Sequence, residues 1–288
     1  MTAVTDVRDP AVAGRFYAGA VDDLREQLET CFGHDRGPGS VPEPVVDGPR
    51  DLFAVVSPHA GYPFSGPIAA HGFAAMARDG RPETVVLLGP AHRDAGATVS
   101  VAPHDAWATP LGTVRIDRDL RAAIVDRSSA IEPDPIAHRG EHSLEVQLPF
   151  LQYCFADAPE IVPLCYDRQD ERTCRSVADA VVGALEATGR DALLVASTDL
   201  THHEPHDVAV ERDERLLEAI LDHEPGTLLE RVREEGHTAC GPGPVATALF
   251  AAADRDATAV ERYAYATSGE TAGRRDEVVG YCSVGVGR

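Results

Sequence analysis

The stretch DLFAVVSPHAGYPFSG, Asp51 to Gly66, joins an apolar run of strand length to a histidine and then to Gly, Pro and Ser residues that make a loop. An unbroken apolar run such as Leu52 to Ser57 fits a strand covered on both faces, as in a largely parallel sheet. Two further runs have the same form, TVVLLG (84 to 89) and ALLVAS (192 to 197). They also end alike. Pro58-His59 follows the first, Pro90-Ala91-His92 the second, and Thr198-Asp199-Leu200-Thr201-His202-His203 the third. In open α/β sheets the loops leaving the carboxyl ends of the strands form the binding crevice, so these side chains are expected to converge on one edge. Neutral imidazoles and a carboxylate meeting there suit a divalent metal.

Helical patterns separate the strands. Residues 21 to 32 are apolar at Val21, Leu24, Leu28 and Phe32, with acids in the first turn. Further helices are expected over 67–78, 118–128, 143–155, 172–187 and 245–253. GHDRGPGSVPEPVVDGPR (33 to 50) breaks regular structure and reads as a surface loop. Near the end, VERYAYATS (260 to 268) and EVVGYCSVGVG (277 to 287) look like two strands joined by a polar loop, which makes the sheet mixed. With no low-complexity linker and no repeat, residues 1–288 are expected to form a single α/β domain, its mixed, mostly parallel sheet carrying helices on both faces.

Composition limits the partners. The chain has 47 acidic and 26 basic residues, a net charge of -21, and every basic residue is Arg. The acids are spread from end to end instead of clustering into a tail, so the charge reads as a halophilic, salt-adapted surface. In molar salt the Debye length shrinks to about 3 Å, and repulsion between surface carboxylates is nearly abolished. Nucleic acid is not expected as a partner, because the basic footprint for phosphate is missing. The stretch MTAVTDVRDPAVAGRFY (1 to 17) lacks the basic and apolar regions of a signal peptide, and no apolar run approaches a membrane span, so a cytoplasmic location is expected. The six cysteines form no C-x-x-C pair, which disfavours a zinc ribbon.

Cys240 lies in GHTACGPGPVATALF (236 to 250), a glycine-rich loop before an expected helix. A helix N-terminus favours the thiolate, the form that binds metals or reacts. GPGPVA (241 to 246) also matches a dinucleotide fingerprint, but EEGHTAC before it is a poor strand. HRGEH, His138 to His142, matches the H-x-x-E-H pattern of inverted zinc peptidases, whose histidines share one helix face. Pro133, Pro135 and Gly140 oppose a continuous helix there. His142 is instead expected at the pocket rim, supporting the site from a helix start.

With RDPAVAGRFY, SPHAGYPFSG, LLGPAH, GEHSLEVQLPFLQ, STDLTHH and ACGPGP in that order over nearly the whole chain, the sequence resembles the Memo-like proteins, also labelled AmmeMemoRadiSam system protein B. The resemblance implies a three-layer domain built like the class III extradiol dioxygenases. It implies His59, His92 and Cys240 as metal ligands, with Asp199 and His202 completing the pocket as catalytic residues. His202 stands where the dioxygenases have an acid/base histidine. A thiolate in place of their carboxylate ligand shifts the metal from iron toward copper or zinc and the chemistry away from ring opening. The resemblance also implies radical-SAM and AMMECR-type partner proteins, and a small molecule or peptide in the pocket. The expectation is a metal-binding protein with redox or oxygenase activity, a metal-dependent oxidoreductase. The alternative is a non-catalytic interaction module.

Overall fold

The structure, a computed structural model, describes residues 6–45, 50–93 and 96–288. Residues 1–5 of the amino-terminal stretch and 46–49 of the loop expected over 33–50 lie outside the described residues. Among the described residues, strands run at β1 (Val7–Arg8), β2 (Leu52–Ser57), β3 (Thr84–Pro90), β4 (Val99–Val101), β5 (Ala106–Thr109), β6 (Gly112–Arg115), β7 (Ile131–Pro133), β8 (Glu160–Tyr166), β9 (Ala192–Ser197), β10 (His202–Glu204), β11 (Ala259–Thr267) and β12 (Val278–Gly287). Helices run at α1 (Val21–Gly33), α2 (Tyr62–Asp79), α3 (Arg118–Val125), α4 (Pro135–His138), α5 (Leu148–Cys154), α6 (Glu171–Thr188), α7 (His206–Leu221), α8 (Pro225–Glu235), α9 (Pro242–Ala253) and α10 (Ser268–Thr271).

Nine strands form one sheet in the order β10-β12-β2-β9-β3-β8-β4-β7, with β11 added on β12. The middle four, β2, β9, β3 and β8, are mutually parallel, while β12 runs antiparallel to β2 and β4 to β8. Successive side chains on these strands enter different cores. Val55, Val85, Leu87, Leu193 and Val195 pack with α1, α2 and α5, whereas Ala54, Val56, Val86, Leu88, Leu194 and Ala196 pack with α3, α6, α7, α8 and α9. That alternation explains why the three opening runs are apolar at nearly every position, and it yields three layers.

Several bounds differ from expectation. Helix α2 begins at Tyr62, not at 67, because Pro63 occupies its tolerant first turn and Pro67 lies inside it. The helix expected over 143–155 is a short 3-10 turn, Glu145–Gln147, followed by α5. Strand β8 and helices α7 and α8 have no counterpart among the expected elements. Among the described residues no helix is long and apolar enough to cross a membrane.

Candidate metal centre

Because β9 lies between β2 and β3, the loops leaving these three parallel strands deliver His59, Asp199 and His92 to one edge. His59 is 1% exposed, and its Nδ1 lies 2.8 Å from the hydroxyl of Ser197. That hydroxyl donates to the Ser143 carbonyl at 2.8 Å and accepts from Gln147 Nε2 at 3.0 Å. With its one hydrogen engaged on Ser143, Ser197 can only accept from the ring. Nδ1 of His59 therefore carries the proton and Nε2 keeps its lone pair.

His92 is preset in the same way by a different group. Its Nδ1 donates to Glu141 Oε1 at 2.9 Å and its backbone amide to Oε2 at 2.7 Å. Glu141 Oε1 also accepts the amides of His142 and Ser143, both at 2.8 Å. Burial alone would raise the pKa of this carboxyl. The hydrogen bond and charge of His92, with the Ser143 and His92 amides, outweigh burial and hold it below the usual carboxylate range.

The same turn brings in His142. Its ring centroid lies 4.3 Å from that of His92 and 5.5 Å from that of His59, and the His59 and His92 centroids are 5.1 Å apart. One ring nitrogen from each of the three lies within 4.8 Å of the others, a spacing one ion can bridge. Burial pushes the pKa of His59 well below the ordinary histidine value and that of His142 down to about 4, so both are neutral near pH 7. Neutral imidazoles whose other ring nitrogen is tied to a carboxylate or hydroxyl are the usual form of metal-binding histidine.

Cys240 adjoins this group at His59, with Sγ 3.1 Å from Nε2. Its loop is held by Gln169, which donates to the Cys240 carbonyl at 2.9 Å and accepts the Gly243 amide at 2.9 Å. Burial, and then the charge of Asp199, push the thiol upward, against the lowering expected from a helix N-terminus. Asp199 Oδ1 accepts the His59 amide at 2.7 Å, and the Asp199 amide donates to Cys240 Sγ at 3.1 Å. The carboxyl supports the His59 turn, and burial pushes its pKa up to about 7. His202 donates from Nδ1 to the Leu200 carbonyl at 2.8 Å, which leaves its Nε2 lone pair free.

His142, expected at the rim, is thus brought into the nitrogen group with His59 and His92, while Cys240 touches that group at its side. His138 is not part of it. Helix α4 ends at His138, whose Nε2 lies 3.1 Å from the Ser100 carbonyl and whose ring faces Trp107. The continuous H-x-x-E-H helix is not formed. Sequence reasoning missed Glu141 and the buried pair Arg8 and Glu145, which meet at 2.7 Å. Arg8 also donates to the carbonyls of His138 and Glu141, at 2.7 and 2.8 Å, and so fastens the amino-terminal segment to the turn that carries His142. Their signal was present in RDPAVAGRFY and GEHSLEVQLPFLQ, whose charged residues flank the apolar ones.

Residues 8–285 match the family model described as Memo-like protein. The chain belongs to the Memo-like family. A MEMO1 family protein of Methanopyrus kandleri is 44% identical over 277 residues, covering 96% of this chain and 98% of that one. Another, from Methanothermobacter thermautotrophicus, is 44% identical over 275 residues, with 96% and 98% covered. Among solved structures, an uncharacterized protein of Escherichia coli K12 superposes with a TM-score of 0.53 at 17% identity, covering 82% of this Memo-like chain and all of its own, a likeness of fold alone.

Proposed function

We propose that this Memo-like protein holds one transition metal, iron or copper in preference to zinc, on His59, His92 and His142, with Cys240 as the adjoining sulfur donor, and that the site is oxidoreductive. The observation that carries this reading is the group of three ring nitrogens within 4.8 Å of one another, two of them with tautomers fixed by Ser197 and Glu141. Three imidazoles suit iron, copper and zinc alike; the thiolate argues for copper or zinc, and oxidoreductive chemistry, which zinc cannot supply, for copper or iron. A bound iron or copper would supply one-electron chemistry and a place to activate dioxygen.

The protein residues divide the remaining work. His202 offers a free Nε2 that can take a proton from a bound ligand. Asp199 can hold or release a proton close to neutral pH beside Cys240, while its Oδ1 keeps the His59 turn in place. Radical-SAM and AMMECR-type proteins are proposed as partners in a modification pathway, which co-purification of the three would test.

Metal analysis of the purified protein, then anaerobic reconstitution with Fe(II), Cu and Zn and an assay of dioxygen consumption, tests the reading. Stoichiometric metal that is lost in His59→Ala and His92→Ala, but retained in His104→Ala, a histidine outside the group of three ring nitrogens, is the expected result. A site that binds none of the three metals would overturn it and favour the interaction module. With Co(II) or Cu(II), a thiolate charge-transfer band that vanishes in Cys240→Ser and survives in Asp199→Asn is expected. A missing band, with metal lost on changing Asp199, would restore the two-histidine, one-carboxylate arrangement.

A further inference from the structure

Arg93 follows directly on His92 and is exposed. Its guanidinium lies against the turn that carries Glu141 and His142. A Cβ built on Gly140 would come 3.3 Å from Arg93 Cζ and Nη1, so glycine at 140 leaves the room that the flat guanidinium occupies. In a chain of net charge -21, arginines such as Arg262 and Arg231 are ion-paired, yet among the described residues no carboxylate forms an ion pair with Arg93. The nearby carboxylate Glu141 is already engaged by His92, His142 and Ser143. Among the described residues Arg93 is therefore an exposed cation without a carboxylate partner, on the turn beside three imidazoles.

An apolar wall adjoins the same histidine. Phe16, half-buried, lies against His142 with the rings tilted by 43° and their centroids 4.5 Å apart, and its carbonyl accepts the amide of Tyr62 at 2.8 Å, which pins it to the start of α2. His142 thus has a planar cation and an aromatic ring as neighbours, the two features that recognise an organic acid with a flat apolar body.

We propose that Arg93 is the substrate-recognition residue of this site and binds the carboxylate of a small aromatic or similarly planar organic acid, whose body lies against Phe16. This rests on the reading of the crevice as the functional site. A guanidinium fork can pair a carboxylate or a phosphate in a bidentate way; the ring of Phe16 on the same histidine favours an acid with a flat apolar body, and inorganic phosphate in the titration separates the two.

Calorimetric titration of the protein with benzoate, at fixed high KCl, tests this, with benzamide as the uncharged probe of the same shape. Metal-free and metal-loaded protein are titrated separately, so failure of the metal reading and failure of the Arg93 reading give different results. The expected outcome is benzoate binding that weakens at least about tenfold in Arg93→Gln, partly recovers in Arg93→Lys, and exceeds benzamide binding in the parent but not in Arg93→Gln. Metal content should be the same in all three proteins. Equal benzoate affinity in the parent and Arg93→Gln, or tighter binding of inorganic phosphate than of benzoate, would overturn the proposal. So would loss of metal from Arg93→Gln, which would make Arg93 a support of the His92 turn.

Discussion

Glu141 and Asp199 are buried carboxylates at the same sheet edge, yet their surroundings drive them in opposite directions. Glu141 accepts two bonds from His92 and the amides of His142 and Ser143, and it is held ionised. Asp199 accepts amides from the His59 turn, has no cation in direct contact among the described residues, and is pushed up to about 7. Burial acts on both with the same sign. The number and charge of the donors decide whether it wins. One edge therefore carries a permanent anion that orients histidines and a carboxyl that can exchange a proton near neutrality.

A third buried carboxylate gives the strongest test of this contrast. Glu145 is fully buried and accepts from Arg8, from the amides of Ala11 and Val12, and from Tyr17. Arg8→Ala removes the one cation paired with it among the described residues, and breaking a buried pair in this way costs about 3–5 kcal/mol, to be measured by chemical denaturation. A loss below about 1 kcal/mol would mean that amides and Tyr17 suffice, and that donor count alone matters.

Next in size is Glu141→Gln, which keeps the shape but replaces an acceptor with a donor facing His92. Metal affinity should fall about 10–100-fold, as for other groups that orient a metal-binding histidine, with the fold preserved by circular dichroism. Asp199→Asn should lower affinity far less. If the two variants lose metal equally, the contrast between them is wrong.

Asp199 also predicts a pH effect on the metal-free protein. Its folded pKa, about 7, lies above the ordinary aspartate value of 3.8, so between those values the folded chain binds more protons than the unfolded one. Stability contributed by this group is present at acid pH and declines as pH rises through that window, by up to roughly 1.4 kcal/mol per unit. Asp199→Asn should flatten the decline. An unchanged pH profile in that variant would assign the titration elsewhere.

The smallest effects belong to the surface acids. Arg262 pairs with Glu214 at 2.7 Å, but both are well exposed, so Arg262→Ala should change stability by only about 0.2–1 kcal/mol. Collectively the surface carboxylates repel, and lowering KCl from about 1 M to about 0.1 M lengthens their reach to about 10 Å. Melting temperature should fall with salt while the Arg8 effect persists. A melting curve indifferent to KCl would remove the halophilic reading.

How much of this was legible depends on how locally each part is encoded. Strands β2, β3 and β9 were readable because both faces are covered, so no polar alternation interrupts the runs, and His59 and His92 were found at their ends. Strand β8 was hidden by Pro163. Its carbonyl accepts the Ala102 amide just beyond the end of β4, so the missing N–H faces a side where the ladder has already stopped. Helices α7 and α8 were hidden by their charge, with only part of each buried against the sheet. The standing of His142 could not be read locally, because its partners Phe16, His59 and His92 come from three other segments. The fate of Asp199 depended on a count of amides that no sequence pattern displays.

The contact between Cys240 and His59 joins positions 181 apart. During synthesis the imidazole leaves the ribosome long before the thiol exists, and the strands that deliver His59 and His92, β2 and β3, are separated in the sheet by β9, which is made much later. Closure of so long a segment comes late in folding and slows it. Any metal that needs both ligands must therefore be acquired by the finished protein, and cannot serve as the nucleus around which the nascent chain condenses.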